Sequence, residues 1–211
     1  TQNQAFSALA FLYREVLRSG FPEPGEIVHA KRPVHLPVVF TMAEAKCVLD
    51  ELAGTNRLMA GLLYGSGLRL MECMRLRVKD LDFGFRQIQV RDGKGRRDRV
   101  TMLPDSLVSP LEKQLERVRQ IFEEDLRSGR GGASLPGALD RKLRTAHLDW
   151  SWQYLFPSQR ISNDPRSTDR RRHHVSETGL QRAVKRAIRS AGIAKRASCH
   201  TFRHSFATHL L

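Results

Sequence analysis

Acidic residues are scarce in this 211-residue chain: 22 Asp and Glu stand against 36 Lys and Arg, a formal charge of +14. So lopsided a balance argues against an ordinary metabolic enzyme and for a polyanionic partner, nucleic acid first and an anionic membrane surface second. Cysteine is scarcer still. Cys47, Cys73 and Cys199 are too few, too scattered and odd in number for a disulfide framework, which points to a reducing cytoplasm. No run of 18 apolar residues exists, so there is no candidate for a membrane-spanning helix. The N-terminus lacks the basic stretch, apolar core and small-residue cleavage site of a secretion signal. Apolar residues still make up 40%, enough for a packed core and too many for wholesale disorder.

The ends carry few start or stop signals. Thr1 opens inside an amphipathic stretch with Phe6, Leu9 and Tyr13 at helical spacing, and Phe202, Phe206 and Leu210 mark a helix face that runs to Leu211 without a terminator. The expectation is a partial chain. Residues 5–18 read as one short helix, and the Pro- and Gly-rich stretch that follows places a domain boundary between about residues 20 and 37. Thr41 and Glu44 stand in capping-box spacing before a helix bearing Cys47, Val48 and Leu52. An apolar helix over about 56–64 ends in Gly65-Ser66-Gly67, and another starts near Arg69. Alternation in Gln87-Ile88-Gln89-Val90 and Val100-Thr101-Met102-Leu103, around Asp92-Gly93-Lys94-Gly95, predicts a β-hairpin. A long helix then carries Leu107, Leu111, Leu115, Val118 and Phe122 on one stripe. Residues 129–175 break the pattern, and helices return at 177–191 and near Ser198. The predicted class is mainly α with a small antiparallel β-sheet, α+β.

Charge concentrates late. Residues 160–211 hold 12 Lys or Arg and 3 Asp or Glu, so +9 of the +14 lies there. On the 177–191 helix, Arg182, Lys185, Arg186 and Arg189 face away from the apolar stripe, with Glu177 the single acid. A solvated polar face is the plain reading, but the i,i+4 acids that would neutralise it are missing, which favours phosphate contact.

Three stretches carry candidate chemistry. Gly65-Ser66-Gly67-Leu68-Arg69 joins a glycine turn to a helix start, where backbone N–H groups and a bidentate guanidinium can hold a phosphate. The bland alternative is an Arg69–Glu72 pair at i,i+3. Lys94 sits between two glycines in the hairpin, where an ammonium can protonate a leaving oxygen. Charged hairpin tips are commonplace, however, and Arg91, Arg96, Arg97 and Arg99 crowd the same loop. His200 and Arg203 lie at i,i+3, an imidazole beside a guanidinium that suits phosphoryl transfer. His200 and His204 at i,i+4 leave a metal site open as a rival, although Thr201 stands where the H-E-x-x-H pattern needs Glu.

Taken in order, Gly-x-Arg-x-x-Glu, the hairpin Lys and Cys199-His200-Thr201-Phe202-Arg203-His204-Ser205-Phe206-Ala207-Thr208-His209 resemble the catalytic domain of the tyrosine recombinases, the phage integrase-like family. Trp150-Ser151-Trp152-Gln153-Tyr154-Leu155-Phe156-Pro157-Ser158, with Asp164-Pro165-Arg166-Ser167 and Arg171-Arg172-His173-His174, is similar to the integron integrase branch. The resemblance covers essentially the whole chain.

It implies a tyrosine recombinase catalytic-domain fold truncated at its C-terminus. Residues 1–20 would be the tail of an N-terminal core-binding helical domain, 21–37 a linker and 38–211 an incomplete catalytic domain with an insertion at about 129–175. Arg69 and Arg203 would grip the scissile phosphate, His200 would assist proton transfer from the nucleophile, and Lys94 would protonate the leaving 5′-hydroxyl. The family attacks with a Tyr to form a 3′-phosphotyrosine link, with no metal or nucleotide cofactor. That Tyr lies downstream of the His-x-x-Arg helix, and Tyr13, Tyr64 and Tyr154 all precede it, so the 211 residues alone are expected to be inactive. Implied partners are a double-stranded attachment site and a folded single-stranded cassette site, bound by a homotetramer in the bacterial cytoplasm at the nucleoid and away from membranes.

The period-two spacing of Trp150, Trp152, Tyr154 and Phe156 would put four aromatics on one face of an extended segment, for base stacking or for a satellite core. Arg171, Arg172 and His173 join them as candidate DNA contacts, with Arg182, Lys185, Arg186 and Arg189. Two alternatives stay open: a non-catalytic DNA-binding relative on the same scaffold, and a type IB topoisomerase relative, against which the integron-like insertion argues.

Overall fold

The computed structural model describes residues 2–20, 36–91, 98–129, 132–135, 142, 145–163 and 170–210. By its contacts the chain divides into two units, Thr1–Leu36 and Pro37–Leu211. In the first, α1 (Gln2–Phe11) runs straight into a π-helical turn, Leu12–Val16. The widened turn is visible in Leu17 N–H donating to Leu12 O. The expected single helix over 5–18 therefore begins earlier and changes its bonding pattern halfway.

In the second unit, Thr41 starts α2 (Met42–Asp50) with a reciprocal cap. Its hydroxyl accepts from Glu44 N–H at 3.1 Å, and the Glu44 carboxylate accepts from Thr41 N–H at 2.7 Å. Then comes α3 (Gly54–Gly65), where Leu58, Met59, Ala60, Gly61, Leu62 and Leu63 are all buried. A helix apolar on every side must be surrounded. It packs against α2, α4 (Leu70–Met74), α5 (Asp105–Arg127), α6 (Glu177–Ser190) and α7 (Cys199–His209). Phe202 of α7 is fully buried beside Phe40, ring centroids 5.3 Å apart.

Beside this bundle lies an antiparallel sheet of β1 (Leu81–Asp82), β2 (Gln87–Val90) and β3 (Arg99–Met102), in that order. The register pairs Gln87 with Met102 and Val90 with Arg99, which is the predicted hairpin. Ile88 and Val90 point into the core while Gln87 and Gln89 stay exposed. The predicted stripe of α5 is also in place, with Leu111, Val118 and Phe122 buried.

The 129–175 stretch holds order that its composition hides. Pro157–Asn163 (β4) and Arg170–His174 (β5) form a second, two-stranded antiparallel sheet. The aromatic run is not extended. Trp150–Trp152 is a 3-10 turn capped by Asp149, whose carboxylate accepts from Ser151 N–H at 2.8 Å. The four rings therefore do not share a face: Tyr154 and Phe156 are buried, while Trp150 and Trp152 are partly exposed. The architecture is mostly helical with small antiparallel sheets. Among the described residues, no helix is long and apolar enough to cross a membrane.

Candidate active site

α3 stops at a turn that only glycine can complete. Gly67 has φ +60°, and a Cβ there would overlap the Phe206 ring of α7. The turn hands the chain to Arg69, the residue that caps α4. Glu72, one helical turn on, reaches back with both oxygens: one accepts from Arg69 N–H at 2.8 Å and the other from the Arg69 guanidinium at 2.6 Å. The i,i+3 pair that the sequence offered as a bland reading does form, and the site is built on it.

Two more guanidinium groups converge on the same carboxylate. Arg99 of β3 binds both oxygens, at 2.9 and 2.7 Å. Arg203 of α7 comes within 3.8 Å and donates to the Gly67 carbonyl. Arg69 and Arg203 thus meet, although 134 residues separate them in sequence. The Glu72 side chain is 7% exposed, whereas those of Arg69, Arg99 and Arg203 are 38%, 32% and 31% exposed. Three positive groups surround one negative group, and the excess charge faces solvent.

Burial would raise the Glu72 carboxyl, but the bonds from Arg99 and from the Arg69 backbone and side chain outweigh it and hold the group at about 2. Arg203 is pushed below its usual value by burial and by the Arg69 charge, with Glu72 pulling the other way. Such an arrangement is a preorganised receptor for an oxyanion.

His200 is exposed in the first turn of α7, one turn before Arg203. Thr201, which stands where a zinc motif needs Glu, accepts from Ser198 N–H at 3.0 Å and so caps the helix. Lys94 lies outside the described residues, which resume at Asp98 just before β3. The Tyr64 hydroxyl is paired with His209 Nδ1 at 2.9 Å, and burial raises its pKa.

The candidate DNA contacts separate into two groups. Arg182, Lys185, Arg186 and Arg189 are exposed along α6, and none of them makes an ion pair among the described residues. Trp150 and Trp152 are partly exposed. Trp150 leans on Phe122, with the Arg119 guanidinium 5.0 Å from its ring, and Lys79 covers Trp152. His173 is partly exposed, with its Nε2 buried and unpartnered.

Three other candidate contacts, Tyr154, Arg171 and Arg172, are buried or paired within the fold. Tyr154 is buried, its hydroxyl accepting from Arg77 and its ring 4.4 Å beneath that guanidinium. Arg171 is buried. Arg172 grips Asp125 with two nitrogens and donates to the Ser158 carbonyl at 2.7 Å. Tyr154 and Arg172 are thus engaged within the fold, Tyr154 by Arg77 and Arg172 by Asp125 of α5.

Arg77 carried no role in the sequence, Arg99 stood only among the arginines that crowd the hairpin, and Glu72 only as the i,i+3 partner of Arg69 and the end of its motif. Arg77 is a buried hub donating to the carbonyls of Trp152 and Ser134, so it fastens the insertion to the core. Within β3, Arg99 and Thr101 face inward while Val100 and Met102 face out, the reverse of what apolar alternation suggests, so the sequence carried no signal for Arg99.

The phage integrase family model matches residues 39–211. The chain belongs to that family, the tyrosine recombinases. An integrase/recombinase of Escherichia coli is 48% identical over 211 residues, covering all of this chain and 63% of its own length, and one of Pseudomonas aeruginosa matches equally. Tyrosine recombinase XerC of Halalkalibacterium halodurans is 27% identical over 220 residues, covering all of this chain and 62% of its own. The chain therefore spans somewhat less than two thirds of the length of these relatives. Among solved structures, XerA recombinase aligns at 27% identity with a TM-score of 0.54, over 99% of this chain and 61% of that one. The Tn1549 transposon integrase in complex with transposon right end DNA shares the fold, with a TM-score of 0.60 at 18% identity over 99% and 65% of the two chains. This tyrosine recombinase chain thus has its family's catalytic-domain architecture, with Arg69 and Arg203 on one carboxylate.

Proposed function

We propose that the chain is the larger part of a site-specific tyrosine recombinase of integron type, which cuts and rejoins DNA to move gene cassettes. The observation that carries this reading is the meeting of Arg69 and Arg203 at Glu72, open on its solvent side. Two guanidiniums so held match the nonbridging oxygens of a phosphodiester, whose charge grows as the transition state forms. His200, one turn from Arg203, takes the proton from the attacking hydroxyl, and Lys94 supplies one to the 5′-oxygen that leaves. The bond energy is kept in a 3′-phosphotyrosine ester, so rejoining needs no external energy source. The hydroxyls of Tyr64 and Tyr154 are engaged by His209 and Arg77, and Tyr13, like them, precedes the His-x-x-Arg helix. The nucleophile is assigned to a Tyr beyond these 211 residues, and the 211 residues by themselves to an inactive state.

DNA is the proposed partner, in duplex attachment sites and in folded single-stranded cassette sites, with a homotetramer as the working assembly. The open basic face of α6 supports backbone contact, and stacking of extruded bases on Trp150 and Trp152 requires Arg119 and Lys79 to leave those rings. The test is strand cleavage by the full-length protein. Arg69→Ala or Arg203→Ala should slow cleavage by about 10²–10³-fold while binding of the site persists. Near-normal cleavage by either variant refutes the role given to that arginine.

A further inference from the structure

β3, like α7, holds the candidate site. Thr101, facing inward, donates to the Ser66 carbonyl at 2.8 Å, while Arg203 takes the next carbonyl, that of Gly67. Arg99, also facing inward, lays a two-pronged grip on Glu72. Arg69 touches both Glu72 oxygens as well, but from the same helical turn, so that contact ties α4 only to itself. Arg99 is the hydrogen-bonded tie to Glu72 that comes from another element, Arg203 standing off at 3.8 Å. The fork geometry fixes the plane of a carboxylate, whose terminal torsion is otherwise broad. With both terminal nitrogens committed to Glu72, Arg99 is placed to act through it.

Resting on the recombinase reading, we infer that Arg99 is a positioning residue of the strand-transfer site: from β3 it fixes the Glu72 carboxylate on which Arg69 and Arg203 are brought together. Without that grip, Glu72 turns more freely and its burial favours the protonated form. The repulsion between Arg69 and Arg203, which Glu72 offsets, is then less well balanced. The groups facing Glu72 are Arg69 of α4, Arg99 of β3 and Arg203 of α7.

The test uses the full-length protein and a nicked duplex selected, from DNA flanking its gene, for covalent capture by the unsubstituted protein. If no duplex is captured, the recombinase reading fails and this inference goes with it. Given capture, Arg99→Gln should cleave about 10²-fold more slowly with duplex affinity nearly unchanged, the scale of loss that a small misplacement of reacting groups brings. Arg99→Lys keeps the charge and the fold but lacks the fork, so its cleavage should stay at least about tenfold down. The double variant E72Q/R99Q should be no slower than Glu72→Gln alone, since the two residues act as one unit. Arg99→Gln should also lose cleavage in mild acid, where the parent keeps Glu72 ionised, and the double variant should lack that acid limb; a merely structural role produces neither. The inference is overturned if Arg99→Gln or Arg99→Lys cleaves at the parent rate. It is equally overturned if the losses of the two single variants multiply in the double, which would put Arg99 on the phosphate itself.

Discussion

Three guanidinium groups share the Glu72 carboxylate, so its ionisation is linked to the folding of the α3–α4 turn. Its pKa lies at about 2 in the folded chain against an ordinary 4.5, a lowered value. The stability it contributes is complete above the ordinary carboxylate range and is lost as pH falls from there through about 2. Glu72→Gln should flatten that part of the pH–stability curve, as read by circular dichroism during acid titration. Gly67 gives a second test at this scale. Ala there has to adopt a positive φ and displace Phe206, so Gly67→Ala should cost more than about 1 kcal/mol in urea unfolding. Arg69 and Arg203 were legible in the sequence because each sits in a local pattern, a glycine turn or a His-x-x-Arg helix, that carries its own chemistry. Arg99 was not, because four arginines crowd its loop and the partner that distinguishes it lies 27 residues away in sequence.

At the scale of elements, legibility followed locality. The Thr41 cap, the β2–β3 hairpin and the α5 stripe are each written within a few adjacent residues, and each is present. The β4–β5 sheet was missed because Arg170–His174 reads as a solvated charge run, and its strand character comes from pairing with β4 and from Asp125 on α5. The aromatic run misled for a related reason: the Asp149 cap and the Gln153 side chain, which donates to the His147 and Asp149 carbonyls, coil it. Thr41→Ala tests the local rule. It removes one half of the reciprocal cap and should cost about 1 kcal/mol, measured by chemical denaturation. Lys195 cushions that loss little, since its bond to Glu44 lies at the surface.

At the scale of the whole molecule, the +14 charge is not one reservoir. Part of it is structural, for Arg77 and Arg172 are turned inward and hold Ser134, Trp152 and Ser158 through their backbone carbonyls, and Asp125 through its carboxylate. Part is outward, along α6. The two parts answer to different measurements. Asp125→Ala strands the Arg172 guanidinium, 15% exposed, without its partner and should cost about 3–5 kcal/mol, with faster hydrogen exchange concentrated in β4 and β5. Replacing Arg182, Lys185, Arg186 and Arg189 by Gln should leave unfolding almost unchanged, because these side chains lie on the solvent face of α6. The same replacement should make the log–log dependence of duplex binding on salt shallower, by about 0.9 for each residue that had met a phosphate. Arg172→Gln, although it too removes a positive charge, should lower stability and leave that slope where it was. An unchanged slope in the α6 variant would move the DNA-binding face to another element, whereas a slope change in Arg172→Gln would show that its hold on Asp125 opens when DNA binds.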